Sequence, residues 1–190
     1  MRLFIAVNIP KRSKKLIKNK VEMIKPEITE NIKWVKSKNW HLTLKFLGEV
    51  EKKKISDIKK TLNLLEDRFN SFSLNFKGIG AFPHLNQPQV VFIQVEKGKE
   101  KLIELHKKVD EKLQEQGFKS EDRSYHPHLT IARSRNSTDK NKLSNSLNEF
   151  TGRYFINVYM KVSNISLMES KLFPDGPVYE KKQEIFLKKP

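Results

Sequence analysis

Cysteine is absent from the 190-residue chain. Disulfides, thiolate nucleophiles and cysteine-ligated zinc are therefore excluded. No apolar stretch approaches the roughly 18 residues that a membrane span requires. The apolar run over residues 3–7 is too short for the core of a secretion signal, and Asn8 and Pro10 close it. Acidic residues are scarce beside basic ones: 22 Asp and Glu stand against 38 Lys and Arg, a formal net charge of +16. So basic a surface attracts polyanions, nucleic acid first and anionic membrane second. With 37% hydrophobic residues the chain can still bury a proper core. No linker divides it, so a single domain over residues 1–190, in the cytoplasm, is the expectation.

Hydrophobic spacing orders the elements. Residues 3–9 read as a strand buried on both faces. Leu16, Ile17, Val21 and Ile24 then recur at helical spacing between Pro10 and Pro26. Residues 40–47 read as a strand closed by Gly48. Ile55, Ile58, Leu62, Leu65 and Phe69 step by threes and fours as one helical face. Residues 74–79 and 90–95 give two further strands joined by a loop at 80–83. The second half replays this order. Leu102, Leu105, Val109 and Leu113 mark a helix ended by Gly117, and residues 128–132 a strand. The polar stretch 136–148 is weakly helical, and residues 154–168 hold two strands or one long bent strand. Pro174-Asp175-Gly176-Pro177 is a turn before a last strand at 178–187. The expected fold class is α+β: two pseudo-symmetric lobes of mainly antiparallel sheet, helices on the outside and a central cleft.

One pattern occurs twice, in opposite halves: His41-Leu42-Thr43-Leu44 and His128-Leu129-Thr130-Ile131. Because side chains alternate across a strand, His41, Thr43 and Lys45 share one face, and His128 and Thr130 share another. Two imidazoles with ordinary pKa values near 6.5 can serve one as acid and the other as base across a cleft. The threonine hydroxyls can donate to the non-bridging oxygens of a phosphate held between them. Lys45 is then the natural second cation, and Arg133 suits phosphate through its planar fork. Strict alternation turns Arg133 away from His128, so it reaches the cleft only if the strand ends or bulges near Ala132. The other histidines carry less: His84 stands in a loop, and His106 on the edge of a helix's apolar stripe reads as packing. His126 with His128 lacks the third protein ligand of a hydrolytic zinc site, so no metal and no cofactor is expected.

The segments over residues 41–48 (His-Leu-Thr-Leu-Lys-Phe-Leu-Gly) and 126–133 (His-Pro-His-Leu-Thr-Ile-Ala-Arg) resemble the two signatures of the two-histidine phosphoesterase superfamily. The branch they are similar to is that of the RNA 2′,3′-cyclic phosphodiesterases, also called 2′-5′ RNA ligases. The opening Arg-Leu-Phe-Ile-Ala-Val, the Gly-Ile-Gly-Ala-Phe-Pro over 78–83 and the Gly-Pro-Val-Tyr-Glu over 176–180 extend the resemblance along the chain. It implies metal-free opening of 2′,3′-cyclic phosphate ends of RNA, tRNA fragments included, to 2′-phosphomonoesters by a monomer. His41 would be the proton donor and His128 the acceptor, with Thr43, Thr130 and Arg133 holding the phosphate, while Lys45 joins them as a substrate-binding candidate by its shared strand face alone. The reverse reaction would be 2′-5′ ligation. The competing readings are a phosphodiesterase of small cyclic nucleotides and a non-catalytic, basic RNA-binding module.

Overall fold

The computed structural model describes residues 1–66, 68–121, 124–151 and 156–189. The first half runs β1 (Arg2–Asn8), α1 (Lys11–Ile24), β2 (Ile32–Trp34), β3 (His41–Glu49), α2 (Ile55–Asn63) and β4 (Phe72–Phe82). The second runs β5 (Val90–Val95), α3 (Lys99–Gln114), β6 (His128–Ser134), α4 (Lys140–Thr151), β7 (Asn157–Val162), β8 (Asn164–Phe173) and β9 (Gly176–Phe186). The strands form two antiparallel sheets, ordered β3-β1-β8-β9 and β2-β6-β5-β4-β7. The fold is bilobal α+β, with β3-β1-β8-β9 matching β6-β5-β4-β7 by pseudo-symmetry, as the duplicated motif predicts.

Each sheet hides one face against two helices, because strands with an apolar side must bury it. The helices are exchanged. α1 leaves β1 of the first sheet and packs on the second, against β7, while α3 leaves β5 of the second and packs on the first, against β3. α2 lies beside α3 near β9, and α4 covers β4. Leu42, Leu44, Leu129 and Ile131 of the motif strands are all at most 1% exposed, so the apolar halves of both motifs anchor in the core.

Several expectations are adjusted. Leu16 is 46% exposed; the buried stripe of α1 is Ser13, Ile17, Val21 and Ile24. α2 stops at Asn63, where tight three-residue bonds (Leu64 N to Thr61 O, Leu65 N to Leu62 O) replace the helical ladder. Leu65 and Phe69 are nevertheless buried. Gly80, Ala81 and Phe82 belong to β4 and not to a loop. The stretch 154–168 contains two strands that part at Ser163, β7 joining one sheet and β8 the other; Tyr154 and Phe155 lie outside the described residues. The three-residue β2 is too short to leave a periodic signature.

Candidate active site

Both motif strands carry a β-bulge at the same place. In β3, Lys45 pairs with Ile5 and Thr43 with Ala6, leaving Leu44 as the extra residue. In β6, Ala132 pairs with Val91 and Thr130 with Phe92, leaving Ile131 over. A bulge puts two consecutive side chains on one face and inverts the alternation beyond it. Leu44 with Lys45, and Ile131 with Ala132, are accordingly buried pairs. The next residues, Phe46 and Arg133, turn back to the histidine side and are exposed.

This overturns the placement of Lys45. Its side chain is 1% exposed and points away from the cleft toward α3, where it is bonded to Asp110 and donates to the Lys119 carbonyl at 2.8 Å. The ammonium is taken up by a buried ion pair on the side of the strand away from the histidines. Arg133 gains by the same bulge: its charge is felt at His128 and at Tyr179.

His41 and His128 are held identically. His41 Nδ1 donates to the Asn39 carbonyl at 2.7 Å, and His128 Nδ1 donates to the His126 carbonyl at 2.6 Å. A carbonyl only accepts, so the proton of each neutral ring sits on Nδ1 and Nε2 is left as an acceptor. His41 Nε2 lies 3.1 Å from the Thr43 hydroxyl. Each ring occupies an aromatic slot. His41 sits against Phe4 (4.8 Å between ring centres) and edge-on to Tyr179 (5.1 Å); His128 sits against Phe92 (5.2 Å) and edge-on to Phe82 (4.8 Å). A Cβ at Gly80 would come within 2.6 Å of the Phe92 ring, so the glycine leaves room for that ring beside His128. The slot residues were not singled out from sequence. The signal was there, as a Phe-Ile pair in each of β1 (Phe4, Ile5) and β5 (Phe92, Ile93).

Burial in these slots lowers the pKa of both rings. For His41 it outweighs the Asn39 carbonyl bond, is reinforced by the charges of Lys14 and His128, and takes the value down to about 4. For His128 burial is again the main cause, with Arg133 and His126 adding to it against the His126 carbonyl bond. The mutual influence of the histidines follows from the contact between β3 and β6. With Thr43, Thr130 and Arg133 beside them, the pair can pass a proton in and another out around one anionic group. Of the remaining histidines, His106 is buried, donates from Nδ1 to the Leu44 carbonyl at 2.7 Å and stacks on Tyr125 at 4.3 Å; His84 is exposed. Among the described residues no three His, Asp or Glu side chains converge as metal ligands, and no helix is long and apolar enough to cross a membrane.

The family model of the 2′-5′ RNA ligase superfamily matches residues 27–172. The chain belongs to this superfamily. An RNA 2′,3′-cyclic phosphodiesterase of Methanocaldococcus jannaschii is 38% identical over 180 residues, 95% of this chain and 97% of its own length. Its namesake in Thermotoga maritima is 33% identical over 181 residues, 95% and 92% of the two chains. Among solved structures, Escherichia coli LigT complexed with 3′-AMP shares the fold. It has a TM-score of 0.75 at 23% identity, over 98% of this chain and 97% of that one. A Thermus thermophilus protein does so with a TM-score of 0.78 at 24% identity, over 100% and 99%. The shared fold thus extends over the whole chain.

Proposed function

We propose that the chain hydrolyses RNA 2′,3′-cyclic phosphate ends to 2′-phosphomonoesters. The observation that carries this reading is the matched pair of imidazoles, each fixed by a carbonyl two residues upstream so that Nε2 of the neutral ring carries no proton. The relatives bearing the name RNA 2′,3′-cyclic phosphodiesterase support the substrate class.

In this mechanism the cyclic phosphate lies between the rings, its non-bridging oxygens held by the Thr43 and Thr130 hydroxyls and the Arg133 guanidinium. The anion offsets the burial that keeps both rings neutral in the empty cleft, and one ring takes up a proton. His128 Nε2 removes a proton from water as the water oxygen attacks phosphorus. His41 delivers its Nε2 proton to the departing 3′-oxygen, and the P–O3′ bond breaks. One proton enters the product and one leaves the water, so no metal is called upon. A 5′-hydroxyl in place of water, deprotonated by His128 in the same way as O3′ departs, gives a 2′-5′ linkage. Cytoplasmic tRNA fragments ending in a cyclic phosphate fit the reading as substrates, taken by a monomer of one domain, since both histidines come from one chain. The test is turnover of a 2′,3′-cyclic substrate by His41→Ala and His128→Ala. Each is expected to fall by on the order of 10² or more; a near-wild-type rate in either variant refutes the mechanism.

A further inference from the structure

The net charge is concentrated in one place. Residues 11–38 hold ten Lys and Arg against three Glu, a net +7 of the chain's +16. In the middle of this segment lies a cavity of about 270 Å³ lined by Trp34, Trp40, Lys18, Lys25, Lys36 and Glu22, among others. Trp40 is buried, but the Trp34 indole is only half-buried. Lys25 stands 5.4 Å over the Trp34 ring while pairing with Glu22 at 2.7 Å. Aromatic faces beside lysines are what a single nucleic-acid strand uses: bases stack and phosphates follow the cations.

The cavity and the cleft lie on either side of the edge strand β2. Trp34 pairs with Ala132 and Lys33 with Arg133 on the edge strand β2. Val35 N donates to the Ile131 carbonyl at 2.8 Å, and Trp40, next to His41, donates from its indole to the Val35 carbonyl at 3.1 Å. From the histidine side, Lys14, whose charge is felt at His41, donates to the Lys38 carbonyl at 3.0 Å. Past the first motif the surroundings differ. There the Phe46 amide donates to the Glu121 carboxylate at 3.4 Å, and a carboxylate repels a phosphodiester chain. An RNA ending in a cyclic phosphate continues only on its 5′ side, so the strand must leave by one end, and the basic end is at Arg133 and Lys33.

We propose that the Trp34 cavity and its lysines form a subsite for the RNA strand upstream of the cyclic end. A base stacks on Trp34, and its phosphates lie along Lys33, Lys36 and Lys18. This rests on the phosphodiesterase reading and adds a preference for oligonucleotides over mononucleotides.

The test compares 2′,3′-cyclic AMP with an oligoribonucleotide ending in a 2′,3′-cyclic phosphate, using wild type, Trp34→Leu and Lys18→Glu/Lys36→Glu. Expected is a tenfold or greater rise in KM for the oligonucleotide, with both parameters for 2′,3′-cyclic AMP unchanged. The slope of log affinity against log salt should shrink by about 1.4 in the double variant, at about 0.7 per phosphate contact on a single strand. Equal effects on both substrates, or none on the oligonucleotide, overturn the subsite. Titration of a labelled oligonucleotide reads the subsite even if wild type turns over neither substrate, so the two readings fail separately. RNA binding retained in the variants while binding to phosphatidylserine vesicles is lost also overturns it.

Discussion

Replacing Lys45 by methionine separates two roles that the motif alone leaves confounded. Methionine retains the apolar stem in its buried slot and removes only the ammonium. Asp110 is left with the Ser120 hydroxyl at 2.9 Å and the Gln114 amide at 3.2 Å, while the Lys119 carbonyl loses its donor. Breaking a buried ion pair by removing one partner costs about 3–5 kcal/mol. The Asp110 side chain keeps 13% exposure and two hydrogen bonds, so the lower end applies, about 3 kcal/mol. In a chain of this size that lowers Tm by about 6–12 °C. Burial by itself would raise the Asp110 pKa, but bonds from Lys45 and Ser120 and the Lys45 charge outweigh it and hold it below the ordinary value. A depressed carboxylate contributes stability above its unfolded pKa and loses it as pH falls through the folded one. The gap between wild type and variant should therefore be full at pH 7 and narrow below about pH 4. Calorimetry across pH, with KM for 2′,3′-cyclic AMP on the folded variant, is the assay. An unchanged Tm together with a tenfold rise in KM would refute the buried placement and return Lys45 to the phosphate. Adding Asp110→Leu should restore most of the lost stability, since hydrophobic replacement of both partners is often neutral.

The depressed pKa of His41 gives a second stability profile. Between pH 6.5 and about 4 the unfolded chain binds a proton that the folded chain refuses, so stability falls as pH falls through that window. The loss is about 3 kcal/mol. In His41→Phe, which fills the same aromatic slot, urea denaturation should show a shallower acid loss; an unaltered profile contradicts the burial argument. Arg133→Met should lower kcat/KM for 2′,3′-cyclic AMP by about 10- to 100-fold, the worth of a charge-assisted bond to phosphate. Arg133→Lys should recover part of that, and wild-type kinetics in Arg133→Met would place the guanidinium outside the site.

The sequence carries the large features because they repeat. The recurrence of His-x-Thr in strand-like runs announces two lobes, and the apolar positions Leu42, Leu44, Leu129 and Ile131 name the buried faces. What it hides is the bulge. Strict alternation assigns Lys45 to the cleft and denies it to Arg133, and one extra residue per strand inverts both. A bulge is set by the pairing partner, here β1 for β3 and β5 for β6, so no local pattern reveals it. The aromatic slots were missed for a related reason: Phe4 and Tyr179 are 175 residues apart in sequence and meet only because β8 and β9 join the sheet of β1.

The exchange of α1 and α3 between the sheets governs how substrate can enter. Backing for the His41 strand is supplied by chain that follows β5, and cover for the His128 sheet by chain that follows β1. Each half thus clasps the other, and prising them apart like the valves of a shell would strip both of their apolar lining. The gap between the two rings is consequently set by core packing and not by a hinge. A substrate that fits between the rings as they are packed would divert little binding energy into reshaping them.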